Sequence, residues 1–292
     1  MVKPSLKRKV VKYLKDKHEV GIKKCCDLVG MSRSSWYYES RIDDTEVIEK
    51  LKDLAESHPN RGFDNYFYRI RKEGFTWARS RVLRVYRDLG LVRRPKRRKR
   101  TPESERKPLY QPSRVNQVWS MDFMHDQLSD GRNIRILNIL DDYNRECLLN
   151  RGQISFPCSG VVMYLNRLAE EIGLPKYIRT DNGPEFTAKE YESWAEDNGV
   201  TIVRTEPGKP MQNGFIERFN RTFREDILDA YIFRSIQQFN VIAEKWREDY
   251  NSTHPHGSLD GKSPKEYGKR RENLKGVPPL KQRYLNYRLS KE

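Results

Sequence analysis

The chain has 292 residues, enough for a sizeable core and for about two domains. Hydrophobic residues make up 36% and charged residues 34%, no apolar run is long enough to span a bilayer, and the basic start MVKPSLKRKV has no apolar stretch behind it, so neither a membrane span nor a secretory signal is expected. Four cysteines, two of them adjacent (Cys25-Cys26), make a poor disulfide framework and lead us to expect a reduced, cytoplasmic compartment.

The net charge of +16 is unevenly spread. Residues 1–114 carry 31 Lys and Arg against 15 Asp and Glu, whereas residues 115–292 carry 26 of each. The whole excess lies in the first two-fifths of the chain, for which a polyanion is the natural partner.

The first 40 residues read as short helices. In IKKCCDLVGMSRSSWYY, Ile22, Cys25, Cys26 and Val29 recur at helical spacing, Gly30-Met31 breaks the pattern, and Ser32 can cap a second helix bearing Arg33, Ser34, Ser35 and Trp36. This is the outline of a helix-turn-helix over about 20–38, with Arg33 and Ser34 as candidate DNA contacts; small helical domains with no DNA contact share the outline. Residues 45–92 continue helical. In SRVLRVYRDLGLVRR, Val82, Val85, Tyr86 and Leu89 form one stripe and Arg81, Arg84 and Arg87 lie around it, which fits either a solvated basic face or a second DNA-contacting unit through Arg81 and Arg84. The segment RRPKRRKRTPESERKP has nine basic residues and nothing apolar to bury. It reads as a basic linker over 93–114, with Arg97 and Arg98 placed to follow phosphates.

After Val115 the pattern changes. VNQVWSMDFM, RNIRILNILDDY and RECLLNRGQI are three successive strand candidates. SGVVMYLNRLAEEIG is an amphipathic helix, PKYIRTD a short strand, and a helix (about 188–198), the strand VTIVRT and helices near 214–230 and 235–250 complete the segment. Strands followed by alternating helices and strands predict an α/β core with a mixed sheet over 115–250, leaving 251–292 as a tail.

Three carboxylates stand out within that core. RTDNGPEF contains a turn signal at Asn182-Gly183, but the residues after it exclude a hairpin. Thr187 and Glu190 have capping-box spacing and Phe186 and Tyr191 the positions of a hydrophobic staple. A helix is therefore expected to start at Thr187, and Asp181 ends a strand, where α/β sheets tend to bind ligands. Asp122 interrupts an otherwise apolar strand, a costly place for a carboxylate unless it is paired or holds metal. Glu217 shares a helical face with Asn220, Arg221 and Arg224, groups suited to phosphate contact, on a helix that Asn213 can cap. Three such acids can hold two Mg²⁺ ions about 3.5–4 Å apart for in-line phosphoryl displacement. Asp126, Asp141 and Asp142 are rival carboxylates that lack the strand-bend-helix setting of Asp181 and read either as supports behind the site or as structural, and Glu185 and His125 read as structural. His254 and His256 fall in a turn-rich stretch with no cysteines nearby and read as loop residues.

The order WSMDF, RTDNGPEF, QNGFIERFNRTFRED, with 35 residues between Asp181 and Glu217, resembles the DDE transposases and retroviral integrases, and more closely the second-frame (OrfB) product of bacterial insertion sequences that move by a copy-out, paste-in route. HPNRGFDNYFYRIRKEGF is similar to that family's helical segment before the core, and DYNSTHPHGSLDGKSP to its ending. The resemblance implies an RNase H-like core with Asp122, Asp181 and Glu217 binding two Mg²⁺, for which Mn²⁺ can substitute, in cleavage and strand transfer at element ends. It also implies that Lys209, Gln212, Asn213, Asn220, Arg221 and Arg224 lie near terminal DNA, and that the protein works in the bacterial cytoplasm at the nucleoid, as a homodimer or higher oligomer on DNA. Family members are often fused by frameshift to an upstream product with its own helix-turn-helix and leucine zipper. This chain has no zipper heptads, so an upstream-frame subunit or fusion is a candidate partner for end recognition. Two other readings stand beside this one: a non-catalytic DNA-binding regulator of transposition, and a nuclease of the same fold that cuts without joining.

Overall fold

Period-two alternation of apolar residues builds the centre of the molecule, a five-stranded sheet in the order β3-β2-β1-β4-β5. In this computed structural model, which describes residues 4–38, 43–92, 110–205 and 213–272, the strands are β1 (Val118–Gln127), β2 (Asn133–Asp141), β3 (Cys147–Gln153), β4 (Tyr177–Thr180) and β5 (Thr201–Arg204). β1, β2 and β3 form an antiparallel meander, and β4 and β5 add parallel to the far side of β1. This mixed sheet with helices on both faces is the RNase H-like core that was expected.

Each face has its own apolar layer. Trp119, Met121, Leu137, Ile139 and Ile178 pack against helices α7 (Cys158–Ile172) and α8 (Lys189–Asp197). Met124, Ile134, Ile136 and Leu140 pack against α9 (Gly214–Phe223), a π-helical turn (Arg224–Leu228) and α10 (Ile236–Ser252). β3 is a sheet edge, and α10 covers it with two side-chain amides. Asn251 accepts from the Cys147 N–H and donates to its carbonyl, both at 2.9 Å, while Asn240 does the same at Gly152 at 2.9 and 3.0 Å. A Cβ at Gly152 would lie 2.5 Å from the Phe239 ring, so the close approach of α10 requires glycine there.

The chain divides between Val47 and Ile48 into two units. The first contains α1 (Pro4–His18), α2 (Ile22–Val29) and α3 (Arg33–Tyr37) around Val11, Cys25, Cys26 and Met31. Gly30 takes φ +62° and the Ser32 hydroxyl accepts the Ser35 N–H at 3.2 Å, the helix-glycine-cap-helix arrangement read from the sequence.

The division differs from the sequence reading, which set 45–92 with the N-terminal region and its boundary at 92. Beyond α4 (Thr45–Ser57), α5 (Phe63–Lys72) and α6 (Arg79–Asp88) belong with the core. Arg61 is ion-paired with Asp226, Asn60 donates to the Glu225 carbonyl, Arg69 reaches Asp249 at 3.2 Å, and Lys72 reaches the Ser252 carbonyl at 2.6 Å. These polar anchors come from positions that look like ordinary surface charges in the sequence.

The region taken as a tail is also folded as far as residue 272. Leu259 is buried, His256 bridges Lys262, and α11 (Pro264–Glu272) follows Ser263, whose N–H and hydroxyl both donate to the Glu266 carboxylate at 2.9 Å. Among the described residues no helix is long and apolar enough to cross a membrane.

Candidate active site

Asp122 sits mid-strand on β1, directly opposite Asn138 of β2. On its other side, β1 and β4 run parallel with Ser120 level with Arg179. Continuing that register by two residues brings Asp181, the first residue after β4, level with Asp122. The bend after Asp181 is tightly held: the Gly183 N–H donates to Asp181 Oδ1 at 3.0 Å and Asn182 donates to the Thr205 carbonyl at 3.1 Å.

The helix after this bend begins later than expected. Ala188 is the N-cap of α8, and the Thr187 hydroxyl turns back to the Pro184 carbonyl at 3.3 Å, so the Thr187–Glu190 capping box does not form. The Phe186 and Thr187 N–H groups both donate to the Gly183 carbonyl, a local turn that uses up Thr187 before the helix starts. The staple pair is retained, with the Phe186 and Tyr191 rings buried and 5.9 Å apart. Glu185 is ion-paired with Arg135, the structural role predicted for it.

α9 carries the third acid. Ile216, Phe219 and Phe223 bury one stripe against the sheet, and Asn220 turns its side chain onto Asp122, donating Nδ2 to Oδ2 at 2.7 Å. Glu217 lies one turn earlier on that side. Asn220, read from the sequence as a DNA contact, is buried and engaged at both ends within the site.

The other candidate contacts are dispersed. Arg221 and Arg224 are exposed on α9 and its continuation, Arg224 reaching the His125 carbonyl at 3.2 Å. Asn213 is the α9 N-cap residue, yet its side chain makes no capping bond and its Oδ1 is buried without a hydrogen-bond partner among the described residues. Arg33 and Ser34 are exposed on α3, and Arg81 and Arg84 lie on α6. Arg97, Arg98, Lys209 and Gln212 lie outside the described residues.

Access and hydrogen bonding, rather than a raised carboxyl, separate the three acids from Asp142 and from Asp141, which burial pushes up to about 7. Burial, then the charge of Asp181, then that of Glu217 push the Asp122 carboxyl up to about 6, against hydrogen bonds from the Phe123 N–H and Asn220. Partial burial also raises Glu217. Among the described residues none of the three has an ion-pair partner. Asp142, by contrast, is paired with Arg179 at 2.7 Å and accepts from the Ser120 hydroxyl at 2.6 Å, although full burial still outweighs Arg179 and raises its carboxyl. Asp141 accepts the Asn116 and Tyr143 N–H groups at 2.7 and 2.8 Å. Both are structural, as the sequence suggested.

A divalent cation suits these acids by chemistry: the donors are hard carboxylate oxygens, and their mutual repulsion is uncompensated by any described cation. Their side chains are not drawn together to ligating distance, for among the described residues no three His, Cys, Asp or Glu groups converge closely enough to hold an ion. Sequence reasoning missed two residues that bear on the site, Asn138 and Asn150. The available signal was an amide at the core-facing position of Ile134, Ile136, Asn138 and Leu140.

The integrase core domain family matches residues 112–210 and again 198–264. An uncharacterized 31.7 kDa protein of insertion element IS407 from Burkholderia multivorans is 34% identical over 91% of this chain and 96% of its own length. The chain belongs to the insertion-element transposases of the integrase superfamily. An uncharacterized 39.2 kDa protein of IS476 from Xanthomonas euvesicatoria is 31% identical over 90% of the transposase and 77% of its own length. The transposase InsD of IS2 from Escherichia coli is 26% identical over 78% and 80%. Among solved structures, a simian T-cell lymphotropic virus intasome in complex with a PP2A regulatory subunit aligns with a TM-score of 0.49 at 16% identity, covering 80% of this chain and 79% of that one. Members of the integrase core family depend on a divalent metal.

Proposed function

We propose that Asp122, Asp181 and Glu217 are the metal-binding acids of this transposase and that they serve both cleavage at element ends and strand transfer. The observation that carries this is the grouping of three carboxylates, Asp122 on β1, Asp181 just past the end of the parallel β4 and Glu217 on the covering helix, near enough for the charges of Asp181 and Glu217 to act on Asp122. Asp122, Asp181 and Glu217 would together hold two ions, Mg²⁺ with Mn²⁺ able to substitute. Such a pair supplies activation of water or of a 3′-hydroxyl and neutralises charge at the phosphate.

The remaining work falls to the chain's own residues. The Gly183 N–H fixes one oxygen of Asp181, and the Phe123 N–H and Asn220 hold the two oxygens of Asp122, so both carboxylates are presented in set directions. Arg221 and Arg224 lie exposed beside Glu217 and suit backbone phosphates, and Arg33, Ser34, Arg81 and Arg84 extend the DNA contacts. A homodimer or higher oligomer on DNA is the assembly we expect. A regulator that only bound DNA would gain nothing from unpaired acids near phosphates, where like charge opposes binding.

The test is incubation of the purified chain with labelled element-end DNA, with and without Mg²⁺. Metal-dependent joined products are expected. Nicking without joining in the presence of Mg²⁺ would favour a nuclease, and binding with no cleavage would favour the regulator.

A further inference from the structure

The side-chain amides behind Asp122 form a directed series. Asp122, Asn138 and Asn150 are cross-strand neighbours on β1, β2 and β3 and face the same side of the sheet. Asn150 Nδ2 donates to Asn138 Oδ1 at 2.9 Å, Asn138 Nδ2 donates to Asn220 Oδ1 at 2.7 Å, and Asn220 Nδ2 donates to Asp122 Oδ2 at 2.7 Å. Asn138 is fully buried, Asn150 nearly so, and Asn150 Oδ1, where the series begins, has no partner among the described residues.

The direction is set by the chemistry of the last member. An ionised carboxylate only accepts, so Asn220 must present its NH₂ to Asp122. Its carbonyl oxygen then faces Asn138 and requires a donor, which fixes Asn138 in turn, and Asn150 supplies the donor that Asn138 Oδ1 requires. A flip of any amide would set oxygen against oxygen inside a buried layer and leave polar groups there unsatisfied.

The arrangement exceeds what packing needs. Every other buried position of β2 on this face, Ile134, Ile136 and Leu140, is apolar, and amides in that layer are costly unless bonded to one another, as these three are in series, with only the Asn150 Oδ1 end left open. We infer that Asn138 and Asn150 are positioning residues for metal binding, acting through Asn220 to hold the Asp122 carboxylate in the orientation that accepts a divalent cation. This rests on the assignment of Asp122 as a metal-binding acid.

The test is Mn²⁺ binding to the full chain by calorimetry, with thermal unfolding measured on the same samples. In the double variant Asn138→Leu/Asn150→Leu the two amides are replaced by apolar groups of similar shape, which limits the loss of stability, while Asn220 loses its orienting donor. We expect a folded protein with Mn²⁺ affinity lowered about tenfold, the scale of outer-shell effects at metal sites. Asn150→Leu alone, three hydrogen bonds from the carboxylate, should give a smaller loss in the same direction. In an Asn220→Leu background the effect of Asn138→Leu should vanish, because the route to Asp122 is already cut. A folded double variant that binds Mn²⁺ like the wild type would overturn the inference, as would wild-type binding by Asn150→Leu if the double variant does not fold. Asp122→Asn, run alongside, separates the two claims. If it retains wild-type binding, the assignment of Asp122 itself fails; if it loses binding while the amide variants do not, only the positioning role fails.

Discussion

Two groups of acids lie in and around the same sheet and meet opposite fates. Asp141 and Asp142, where β2 turns toward β3, are fully buried, and each is satisfied from within by backbone N–H groups, the Ser120 hydroxyl or Arg179. Asp122, Asp181 and Glu217 are more open and receive hydrogen bonds only from an amide and from backbone N–H groups, with their charge uncompensated among the described residues. The difference is one of access and satisfaction: Asp141 and Asp142 are fully buried with their oxygens taken by internal donors, whereas the other three acids reach solvent and have no paired cation among the described residues.

The sharpest way to break this contrast is by activity. Asp122→Asn, Asp181→Asn and Glu217→Gln should each lower cleavage and joining of end-containing DNA by on the order of a thousandfold or more, with DNA binding largely kept. Unimpaired joining by any one of them in a gel assay would remove that residue from the site.

Stability should behave in the opposite sense. Asp142→Ala leaves the Arg179 guanidinium buried without its partner and is expected to cost about 3 kcal/mol in denaturant unfolding. Asp122→Asn should be neutral or stabilising without metal. If Asp142→Ala unfolds like the wild type, the buried pair does not hold the sheet together.

The same contrast has a pH signature. Asp122 is raised from 3.8 to about 6, so its protonated form is favoured in the folded state. Its contribution is complete below about pH 4 and is lost as pH rises through about 6. Metal-free wild type should therefore lose about 2 kcal/mol relative to Asp122→Asn across that window. Two parallel stability–pH curves would contradict the raised carboxyl.

The smallest effect concerns the basic residues. Arg84→Ala should weaken DNA binding modestly for all sequences and lower the slope of log affinity against log salt by about one. An unchanged slope would leave Arg84 as a solvated charge.

The sheet and its helices were legible in the sequence because alternation and helical spacing are direct consequences of one buried face. Asp122 and Asp181 were legible for the same reason, since a charge in an apolar strand and an acid at a strand end depart from that pattern. What could not be read were relations that depend on partners distant in sequence. Thr187–Glu190 has capping spacing but is pre-empted by the Gly183 turn, whereas Ser263–Glu266, with proline at the first helical position, does cap α11 in a stretch read as tail. Arg61, Arg69 and Lys72 look like surface charge and instead fasten α5 and its preceding loop to the core. Asn220 has the look of a phosphate contact in the sequence, and only the fold brings it to Asp122, 98 residues away, which accepts its hydrogen bond.

The central claim is most directly tested by titrating Mn²⁺ into the wild type, Asp122→Asn and Asp142→Asn and measuring bound metal. Asp142→Asn should bind as the wild type does and Asp122→Asn should lose binding; wild-type affinity in Asp122→Asn would contradict the assignment of Asp122 as a metal-binding acid.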